Sequence, residues 1–247
     1  MKGIVLAGGT GSCLFPLTKV TNKHLLPVGQ YPMIYHPISK MVQCGIRDLL
    51  IVTVVEHMGD VVRLLGSGTE WGGQFIYKVQ DRPGGIAQAL GMAEEFVDGD
   101  QMLVLLADNI FEDDLSPYVR AFEHQPAGAK LLLKELAHPE RFGVAELSGE
   151  RIMSIEEKPR VPKSPYCVTG IYLYDAQVFD FIRGLSPSAR GELEITDVNN
   201  LYIQHSILTY DILCGWWTDA GMPASLLRAN QLSQAIQLDT WSKGDGT

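Results

Sequence analysis

The sequence predicts a three-layer α/β fold with a Rossmann-like, mixed and mostly parallel sheet and an inserted region. Up to about residue 110, short apolar runs typical of strands alternate with longer runs typical of helices, which favours parallel strands joined by helices. Beyond that point, strand-like runs follow one another without a full helix between each pair, which indicates an insertion on the same sheet. We expect the 247 residues to form a single domain with parts at 1–110, 111–222 and 223–247, the last being a C-terminal helix and tail.

The first part opens with the apolar run 2–6, which is typical of a buried strand. Further strands are expected at 48–55, 75–79 and 102–107. The helices between them are expected at 33–44, 57–65 and 86–97. Ligands of such sheets bind beyond the carboxyl ends of the strands, so the residues that follow these strands are the first candidates for a site.

The second part contains the strands that we assign to the insertion. They are expected at 129–136, 143–147, 151–156 and 166–174. Helical patterns resume at 176–183, 194–203 and 223–236.

The charge balance and the cysteine pattern exclude several classes of protein. The formal net charge of −9 argues against a nucleic-acid binder, because phosphate backbones attract basic proteins. The first apolar run is too short for a signal peptide, and no apolar stretch is long enough to cross a bilayer. The four cysteines form no C-x-x-C pair, so we expect neither a metal knuckle nor a disulfide framework, and we expect a reducing cytoplasm as the location.

A glycine-rich loop after the first strand indicates phosphate binding. The run 6–12 contains Gly8, Gly9 and Gly11, which let the backbone approach an anion closely and expose its N–H groups. Lys23 follows downstream and supplies a mobile positive charge. The run has neither the Gly-Lys-Ser/Thr ending of a Walker loop nor the spacing of the dinucleotide fingerprint. A tight strand-to-helix turn is the alternative interpretation.

Two aspartates in distant segments are candidates for a shared magnesium site. Asp108 follows the apolar run 102–107, and Asp219 lies in the segment 215–221. Mg²⁺ prefers oxygen ligands and is usually held by one or two carboxylates together with substrate phosphates. The alternatives are a helix N-cap for Asp108 and a turn aspartate for Asp219.

Residues 3–37 resemble the opening of the sugar-1-phosphate nucleotidylyltransferases, most closely the glucose-1-phosphate thymidylyltransferases. That family reads L-A-G-G-x-G-T-R-L-x-P-x-T, then K-x-L-L-P-V, then P-M-I-Y, and the matching segments here are 6–18, 23–28 and 32–35. Similar motifs continue to about residue 221. The resemblance implies transfer of a nucleoside monophosphate from dTTP or UTP to a hexose 1-phosphate, release of pyrophosphate, and Mg²⁺ as the cofactor.

The resemblance assigns the nucleotide to the first part of the chain. Lys23 would clamp the triphosphate, and Gln80 would read the base beside a segment, 85–89, that is similar to the family's G-L-A-Q-A. The residues themselves support this, because a glutamine offers a donor and an acceptor that match the N3–H and carbonyl edge of thymine or uracil. A surface glutamine at a helix start is the alternative. The implied nucleotide-binding residues are Leu6, Gly8, Gly9, Gly11, Gln80 and Gly85.

The same resemblance assigns the sugar 1-phosphate to the inserted part. Residues 156–159 match the family's E-E-K-P motif, whose glutamate contacts the sugar and whose lysine contacts its phosphate, so Lys158 joins Lys23 as a catalytic residue. On charge alone, this cluster is a solvated strand end. Asp108 and Asp219 resemble the aspartates of G-D-N and W-x-D-T-G, which hold the metal. The implied sugar-binding residues are Asn109, Gly143, Glu157, Val168 and Thr169.

One position departs from the family in a way that bears on activity. Cys13 stands where the family has an arginine that contacts the triphosphate. Three interpretations are open: an enzyme that relies on Lys23, Lys158 and Mg²⁺; an enzyme in which another cation, such as Lys19, reaches in; or a catalytically impaired sugar-nucleotide-binding or regulatory relative. Because both lysines and both aspartates are present, we favour an enzyme.

Three further expectations complete the sequence-based prediction. The run 190–199 is similar to the family's R-G-E-L-E-I-T-D-V-N and is interpreted as mostly structural. We expect a homo-oligomer that binds neither nucleic acid nor membrane. Long family members continue with helices that form a regulatory nucleotide site, so we expect this shorter chain to bind one nucleotide.

Overall fold

The structure is a computed structural model that describes residues 1–238, and the expected tail lies outside the described residues from 239 onward. The strands are β1 (Lys2–Ala7), β2 (Pro27–Val28), β3 (Tyr31–Pro32), β4 (Asp48–Val54), β5 (Gln74–Gln80), β6 (Met102–Leu106), β7 (Asn109–Phe111), β8 (Ala129–Glu135), β9 (Gly143–Ser148), β10 (Arg151–Glu157), β11 (Tyr166–Tyr174), β12 (Leu208–Ile212) and β13 (Trp217–Asp219). The helices are α1 (Tyr35–Gln43), α2 (Met58–Leu65), α3 (Ile86–Gly91), α4 (Glu94–Val97), α5 (Ser116–Glu123), α6 (Gln177–Arg183), α7 (Ile195–Gln204) and α8 (Pro223–Leu232).

A nine-stranded mixed sheet forms the middle layer. Its order is β10-β9-β11-β6-β1-β4-β5, and β8 pairs with β11 and β12 beside this path. The strands β6, β1, β4 and β5 are parallel, whereas β11 runs antiparallel to β6, β8 and β9. The predicted fold class is therefore confirmed, with the insertion supplying the antiparallel strands. The division of the chain at residues 110 and 222 stays a prediction, since strands from both sides of 110 pair in one sheet.

The central strands are apolar on both faces because helices cover both faces. Val5 and Ile51 pack on one face in a core shared with α1, α2 and α5. Their neighbours Ile4 and Leu50 pack on the opposite face with α3, α6 and α7. Successive side chains of a strand point to opposite faces, so continuous runs of Val, Ile and Leu fill both cores. This explains why the sequence reads as unbroken apolar runs rather than alternating ones.

The parallel strands end along one edge, and this edge positions the site. Leu6 of β1 is in register with Leu106 of β6 and with Val52 of β4, while Gln80 closes β5. The glycine loop, Gln80 and Asp108 therefore follow neighbouring strands at the same edge, as the sequence predicted.

Several elements differ from the sequence-based expectation. The single helix expected at 86–97 is wrong: α3 and α4 are separated by a turn after Gly91, a residue that disfavours helix. The helix expected at 223–236 ends at Leu232 and continues as a 3₁₀ turn, Ser233–Ala235. Helix α5 was not expected, although Pro117 suits a first helical turn. Strands β7 and β13 were missed because three residues are too few to show an alternating pattern.

Within residues 1–238, no helix has the length and apolar character that crossing a bilayer requires.

Candidate active site

Two adjoining cavities open at the carboxyl edge of the parallel strands. The smaller cavity, about 230 Å³, lies over the glycine loop. The larger cavity, about 630 Å³, extends toward β9, β10 and β11. Lys23 and Asp108 line both cavities, so ligands in the two cavities would meet beside these charges.

The smaller cavity brings together most of the predicted nucleotide-binding residues. Those that line it are Leu6, Gly8, Gly9, Gln80 and Gly85. Gly9 has a φ of +92° with open space around it, so its backbone is free to face a ligand. Gly11 lies outside both linings and begins the 3₁₀ turn Ser12–Leu14 with a φ of 64°.

Gln80 presents an acceptor to this cavity. Its Nε2 donates to Gln88 Oε1 at 2.7 Å and to Gly85 O at 3.4 Å, so both amide hydrogens have partners. A Cβ on Gly8 would lie 2.8 Å from Gln80 Oε1, which explains why the loop needs glycine there. The carbonyl oxygen of Gln80 is therefore the atom suited to accept an N–H from a base.

Gly85 holds the loop before α3 against a distant segment. Its φ is +98°, and a Cβ there would lie 2.4 Å from Leu193 O. The Leu193 N–H donates to Gly84 O at 2.8 Å, and the Ala87 N–H donates to Leu193 O at 3.2 Å. The segment around Leu193 thus forms part of the floor between the two cavities.

The larger cavity contains all the predicted sugar-binding residues. They are Asn109, Gly143, Glu157, Val168 and Thr169, and Lys158 lies among them. A Cβ on Gly143 would lie 3.5 Å from Glu157 Oε2 and 3.3 Å from Ile155, so glycine keeps this wall open. The Thr169 hydroxyl donates to Leu132 O at 2.7 Å, where the pairing of β8 and β11 shifts register.

Asn109 connects the wall of the larger cavity to Asp108. Its Oδ1 accepts the Gly170 N–H at 2.8 Å and the Trp217 indole N–H at 2.7 Å. Its Nδ2 donates to Asp108 Oδ1 at 3.1 Å, which leaves one amide hydrogen for a ligand. This buried amide therefore orients the Asp108 carboxylate and still faces the cavity.

Glu157 is held by residues that the sequence analysis interpreted as structural. The Thr196 hydroxyl donates to Glu157 Oε2 at 2.6 Å, and Arg190 Nη2 lies 3.4 Å from Glu157 Oε1. Arg190, Glu192, Glu194 and Thr196 all line the larger cavity. Five of the ten residues of the run 190–199 thus line the cavity, and the interpretation of this run as mostly structural stays a prediction. The charged residues that precede α7 were the pattern that could have indicated a position at the cavity. A turn that only connects two elements does not require so many charges.

Lys158 adopts a backbone conformation that is uncommon for a residue with a side chain. Its φ is 47°, in the left-handed region, and its N–H donates to Phe142 O at 3.0 Å. Such conformations cost about 1–3 kcal/mol and concentrate at functional sites. The conformation turns the chain at the end of β10, so the Lys158 ammonium lines the larger cavity with its Nζ 3.5 Å from Glu157 Oε1.

Lys23 and Asp108 form a largely buried ion pair, with Nζ and Oδ2 2.6 Å apart. Burial opposes the charge of Lys23, but the adjacent Asp108 carboxylate outweighs it and raises the pKa of Lys23. Burial likewise favours neutral Asp108, yet the Lys23 charge and hydrogen bonds from Lys23 and Asn109 lower the pKa of Asp108 to about 2. Asp108 precedes β7 rather than a helix, so the alternative of a helix N-cap is wrong.

Asp219 faces Asp108 across Gly221. A Cβ on Gly221 would lie 2.7 Å from Asp219 Oδ1 and 3.5 Å from Asp108 Oδ2, so the two carboxylates converge on this glycine. Asp219 also accepts the Gly221 N–H at 2.6 Å, which makes it a turn residue as well. Burial and the neighbouring Asp108 charge raise the pKa of Asp219, although Gly221, Lys23 and Arg141 act in the opposite direction.

This pair of carboxylates fits a magnesium ion. Among the described residues, no group of three or more His, Cys, Asp or Glu side chains gathers as a metal site. Mg²⁺ does not require such a group, because it is usually bound by one or two carboxylates and by substrate phosphates. Two converging carboxylates whose charges oppose each other are stabilised by a dication between them.

Cys13 lines the larger cavity at its rim, where the thiol is exposed. Lys19 is exposed and lines neither cavity, so it does not replace the absent arginine. Arg141 does line the larger cavity, with Nη2 3.6 Å from Asp219 Oδ2. The cations that line this cavity are Lys23, Arg141, Lys158 and Arg190.

Comparisons with known proteins agree with this geometry. The family model described as nucleotidyl transferase matches residues 2–235. A glucose-1-phosphate thymidylyltransferase from Neisseria meningitidis is 44% identical over 96% of this chain and 84% of its own length. One of the same name from Actinoplanes sp. is also 44% identical, over 96% of this chain and 79% of its own length.

Solved structures show the same fold. A crystal structure from Bacillus anthracis, of a chain assigned as a glucose-1-phosphate thymidylyltransferase in complex with sucrose, has a TM-score of 0.93 and 62% identity, and the match covers 96% of each chain. A UDP-glucose pyrophosphorylase complexed with UDP-glucose has a TM-score of 0.81 at 20% identity, covering 94% of this chain and 97% of that one, which shows the fold alone. From the family model and the close relatives together, the chain belongs to the nucleotidyl transferase family.

Proposed function

We propose that this nucleotidyltransferase transfers thymidine monophosphate from dTTP, or uridine monophosphate from UTP, to a hexose 1-phosphate. The relatives named above make glucose 1-phosphate the first sugar to test. One observation carries the proposal: the cavity with the glycine loop and Gln80 meets the cavity with Glu157 and Lys158 at Lys23 and Asp108. A triphosphate in the first cavity and a sugar phosphate in the second would place their phosphates side by side.

The reaction is an in-line displacement at the α-phosphorus. An oxygen of the sugar 1-phosphate forms a bond to this phosphorus, and the bond to the bridging oxygen of the β-phosphate breaks. Pyrophosphate leaves with that electron pair, and the product is a nucleoside diphosphate sugar. No protein base is needed, because a phosphate monoester is already ionised near neutral pH. The task of the protein is therefore to position the phosphates and stabilise charge.

Charged side chains divide that task between the two substrates. Lys23 would hold the triphosphate, since its ammonium lines both cavities and its raised pKa keeps it charged. Lys158 would hold the attacking phosphate, while Glu157 would accept hydrogen bonds from sugar hydroxyls. Asp108 and Asp219 would hold Mg²⁺, which when bound there supplies charge neutralisation and orientation of the phosphates.

Gln80 supports a pyrimidine with a protonated N3. The free lone pairs of its Oε1 match the N3–H that thymine and uracil share, whereas cytosine offers an acceptor there. Mispairing a buried polar group costs about 1–3 kcal/mol, so CTP should bind about 5- to 150-fold more weakly. Purines are expected to be excluded by the larger size of their two-ring bases.

The alternative of a catalytically impaired relative rests on Cys13. It is not favoured, because Lys23, Lys158, Asp108 and Asp219 all line the larger cavity despite this substitution. The compared relatives are also named for the transfer reaction. The expectations of a homo-oligomer and of a cytoplasmic location stay predictions.

A pyrophosphate-release screen tests the proposal. Each of dTTP, UTP, CTP, ATP and GTP is paired with glucose, galactose and mannose 1-phosphates in the presence of Mg²⁺. We expect release with dTTP or UTP and at least one hexose 1-phosphate, and none when either substrate is omitted. Binding of both substrates without release would support the impaired relative. A preference for a purine or for cytosine would contradict the assignment of the base to Gln80.

A further inference from the structure

We infer that Asp113, assisted by Glu112, is a positioning residue that fixes the metal-site aspartate Asp219 through the backbone of residues 214–216. Neither carboxylate lines either of the two active-site cavities, so any effect on the site must act through other residues. We name this pair the acidic clamp. The inference rests on the proposed function, because it takes Asp219 as a metal ligand.

Asp219 stands on a part of the fold that needs external support. Strand β13 pairs with β7 alone, in a two-stranded sheet of three residue pairs. An isolated pair of such short strands is marginally stable. A slip of one residue would turn Asp219 to the opposite face, away from Asp108. The observed register, with Asp219 opposite Asn109, is supported within the strands by the Trp217 indole N–H bond to Asn109 Oδ1, and contacts beyond the strands add to this support.

The acidic clamp supplies such contacts at the entrance to β13. Asp113 Oδ2 accepts the Cys214 N–H at 2.9 Å, and Asp113 Oδ1 accepts the Gly215 N–H at 2.8 Å. Glu112 Oε2 accepts the Trp216 N–H at 3.2 Å, and the Glu112 N–H donates to Trp216 O at 3.0 Å. Three successive amides are thus held by two carboxylates, and hydrogen bonds to charged groups are the stronger kind.

Gly215 lets the two carboxylates of the acidic clamp approach the backbone closely. A Cβ on Gly215 would lie 2.7 Å from both Asp113 Oδ1 and Glu112 Oε2. Any other residue would therefore push the carboxylates away from the amides. The glycine of this segment is required by the clamp rather than by a positive φ.

Two lysines fix the carbonyl groups of the same two segments. Lys40 Nζ donates to Glu112 O and Asp113 O, both at 2.8 Å. Lys134 Nζ donates to Leu213 O at 3.0 Å and to Gly215 O at 2.6 Å. The clamp and the lysines together fix both strands that carry the metal-site residues, since Asp108 directly precedes β7.

Manganese binding tests the inference without turnover. Mn²⁺ alone is titrated into each folded variant, and free Mn²⁺ is measured by electron paramagnetic resonance. Asp113→Asn keeps the size of the side chain but has one acceptor oxygen for two amides. We expect it to weaken Mn²⁺ binding about tenfold, as loss of an outer support of a metal site does. Binding of dTTP without divalent metal should be unchanged, because the Gln80 cavity is not touched.

The matched control is Asp114→Asn. Asp114 is the next residue, and its carboxylate accepts the Ser116 N–H within its own turn, with no contact to residues 214–216. It should leave Mn²⁺ affinity unchanged even if it lowers the melting temperature. Gly215→Ala opens the clamp from the other side and should reproduce Asp113→Asn, which keeps the test decisive if one variant folds poorly.

Adding Asp219→Asn separates this inference from the proposed function. If Asp113 acts through Asp219, then Asp113→Asn should weaken Mn²⁺ binding no further in the Asp219→Asn background. Parental Mn²⁺ affinity in Asp113→Asn and Gly215→Ala, or additive losses in the double variant, would overturn the inference. Parental affinity in Asp219→Asn alone would overturn the metal site of the proposed function instead.

Discussion

Lys23, Asp108 and Asp219 form the charged centre of the site. The two aspartates differ in how their negative charge is compensated. The Lys23 ammonium pairs directly with Asp108, whereas Asp219 is influenced by Lys23 without an ion pair and lies 3.6 Å from the half-exposed guanidinium of Arg141. Removing either carboxylate should therefore have different consequences for stability, although both should lower metal-dependent activity. This difference separates a metal ligand from a residue that only supports the fold.

Asp219→Asn should lower activity at limiting Mg²⁺ by at least about 100-fold, because charge stabilisation by a bound metal amounts to several kcal/mol. Its unfolding free energy should be unchanged or higher, since the repulsion from Asp108 is relieved. Asp108→Asn should lose activity similarly and also lose stability, since it leaves the largely buried Lys23 without its partner. Initial rates against Mg²⁺ concentration and urea unfolding measure the two effects.

Glu140→Gln is the control for these variants, because Glu140 lines the same cavity and its Oε1 lies 3.7 Å from His138 Nδ1. It should leave the Mg²⁺ dependence unchanged. If Asp219→Asn retained full activity at limiting Mg²⁺, Asp219 would be a turn residue only.

Cys13→Arg should raise turnover under saturating substrates, by up to about 100-fold, because an arginine at the cavity rim adds a charge-assisted donor for the triphosphate. Cys13→Lys should raise it less, since an ammonium lacks the bidentate fork. Cys13→Ser should leave the rate unchanged and serves as the control. An equal or lower rate in the arginine variant would show that this loop is arranged around a small side chain.

Among the secondary-structure elements, the ends of the strands could be predicted from the sequence. The contacts between distant segments that support the site could not. The runs of β1, β4 and β6 are mostly apolar, so their ends, and with them the glycine loop and Asp108, could be placed from sequence. The charged run that contains Arg190 and Thr196 was visible in the sequence, but its place beside the cavity was not. That place depends on Gly84 and Leu193, over 100 residues apart, meeting by backbone hydrogen bonds. Such contacts between distant segments leave no periodic pattern in the chain.

Gly85→Ala tests the contact between the start of α3 and Leu193. The new Cβ would lie 2.4 Å from Leu193 O in a backbone with a φ of +98°, so the loop and the floor between the cavities must separate. We expect at least tenfold weaker dTTP binding by calorimetry and a loss of about 1–3 kcal/mol of stability. Gly45→Ala is the matched control, because Gly45 also has a positive φ, +79°, with nothing within 4 Å of the added Cβ. Gly45→Ala should lose stability but keep its dTTP affinity. Equal losses of dTTP affinity in both variants would contradict the proposed contact.

Across the whole molecule, an acidic chain places its cations where phosphates are expected. The formal net charge is −9, and the larger cavity is lined by four cations, Lys23, Arg141, Lys158 and Arg190, together with six Asp and Glu side chains. Phosphates there would therefore meet individual cations and a bound metal ion rather than a positive field over the whole cleft. That Arg141 and Arg190 would join the two lysines in one cavity could not be predicted from the sequence, because they reach it from separate segments of the chain.

The buried histidines should make the whole fold sensitive to mild acid. Burial, together with the neighbouring Lys23 charge, lowers the pKa of His24 to about 3, and burial also lowers the pKa of His36. The unfolded chain therefore binds more protons than the folded one below the usual histidine pKa of about 6.5. The stability due to neutral His24 is complete above that pH and is lost as the pH falls from about 6.5 toward 3.

Between pH 7 and pH 5, His24 alone should reduce the unfolding free energy by about 2 kcal/mol, with His36 adding to the loss. Urea unfolding across this range measures the slope. His24→Gln and His36→Gln should each flatten it, because glutamine takes up no proton on unfolding. The exposed His124, replaced by glutamine, is the control and should leave the slope as in the parent. If neither buried variant changed the slope, the acid sensitivity would have to come from the carboxylates, and the two histidines would be protonated equally in both states.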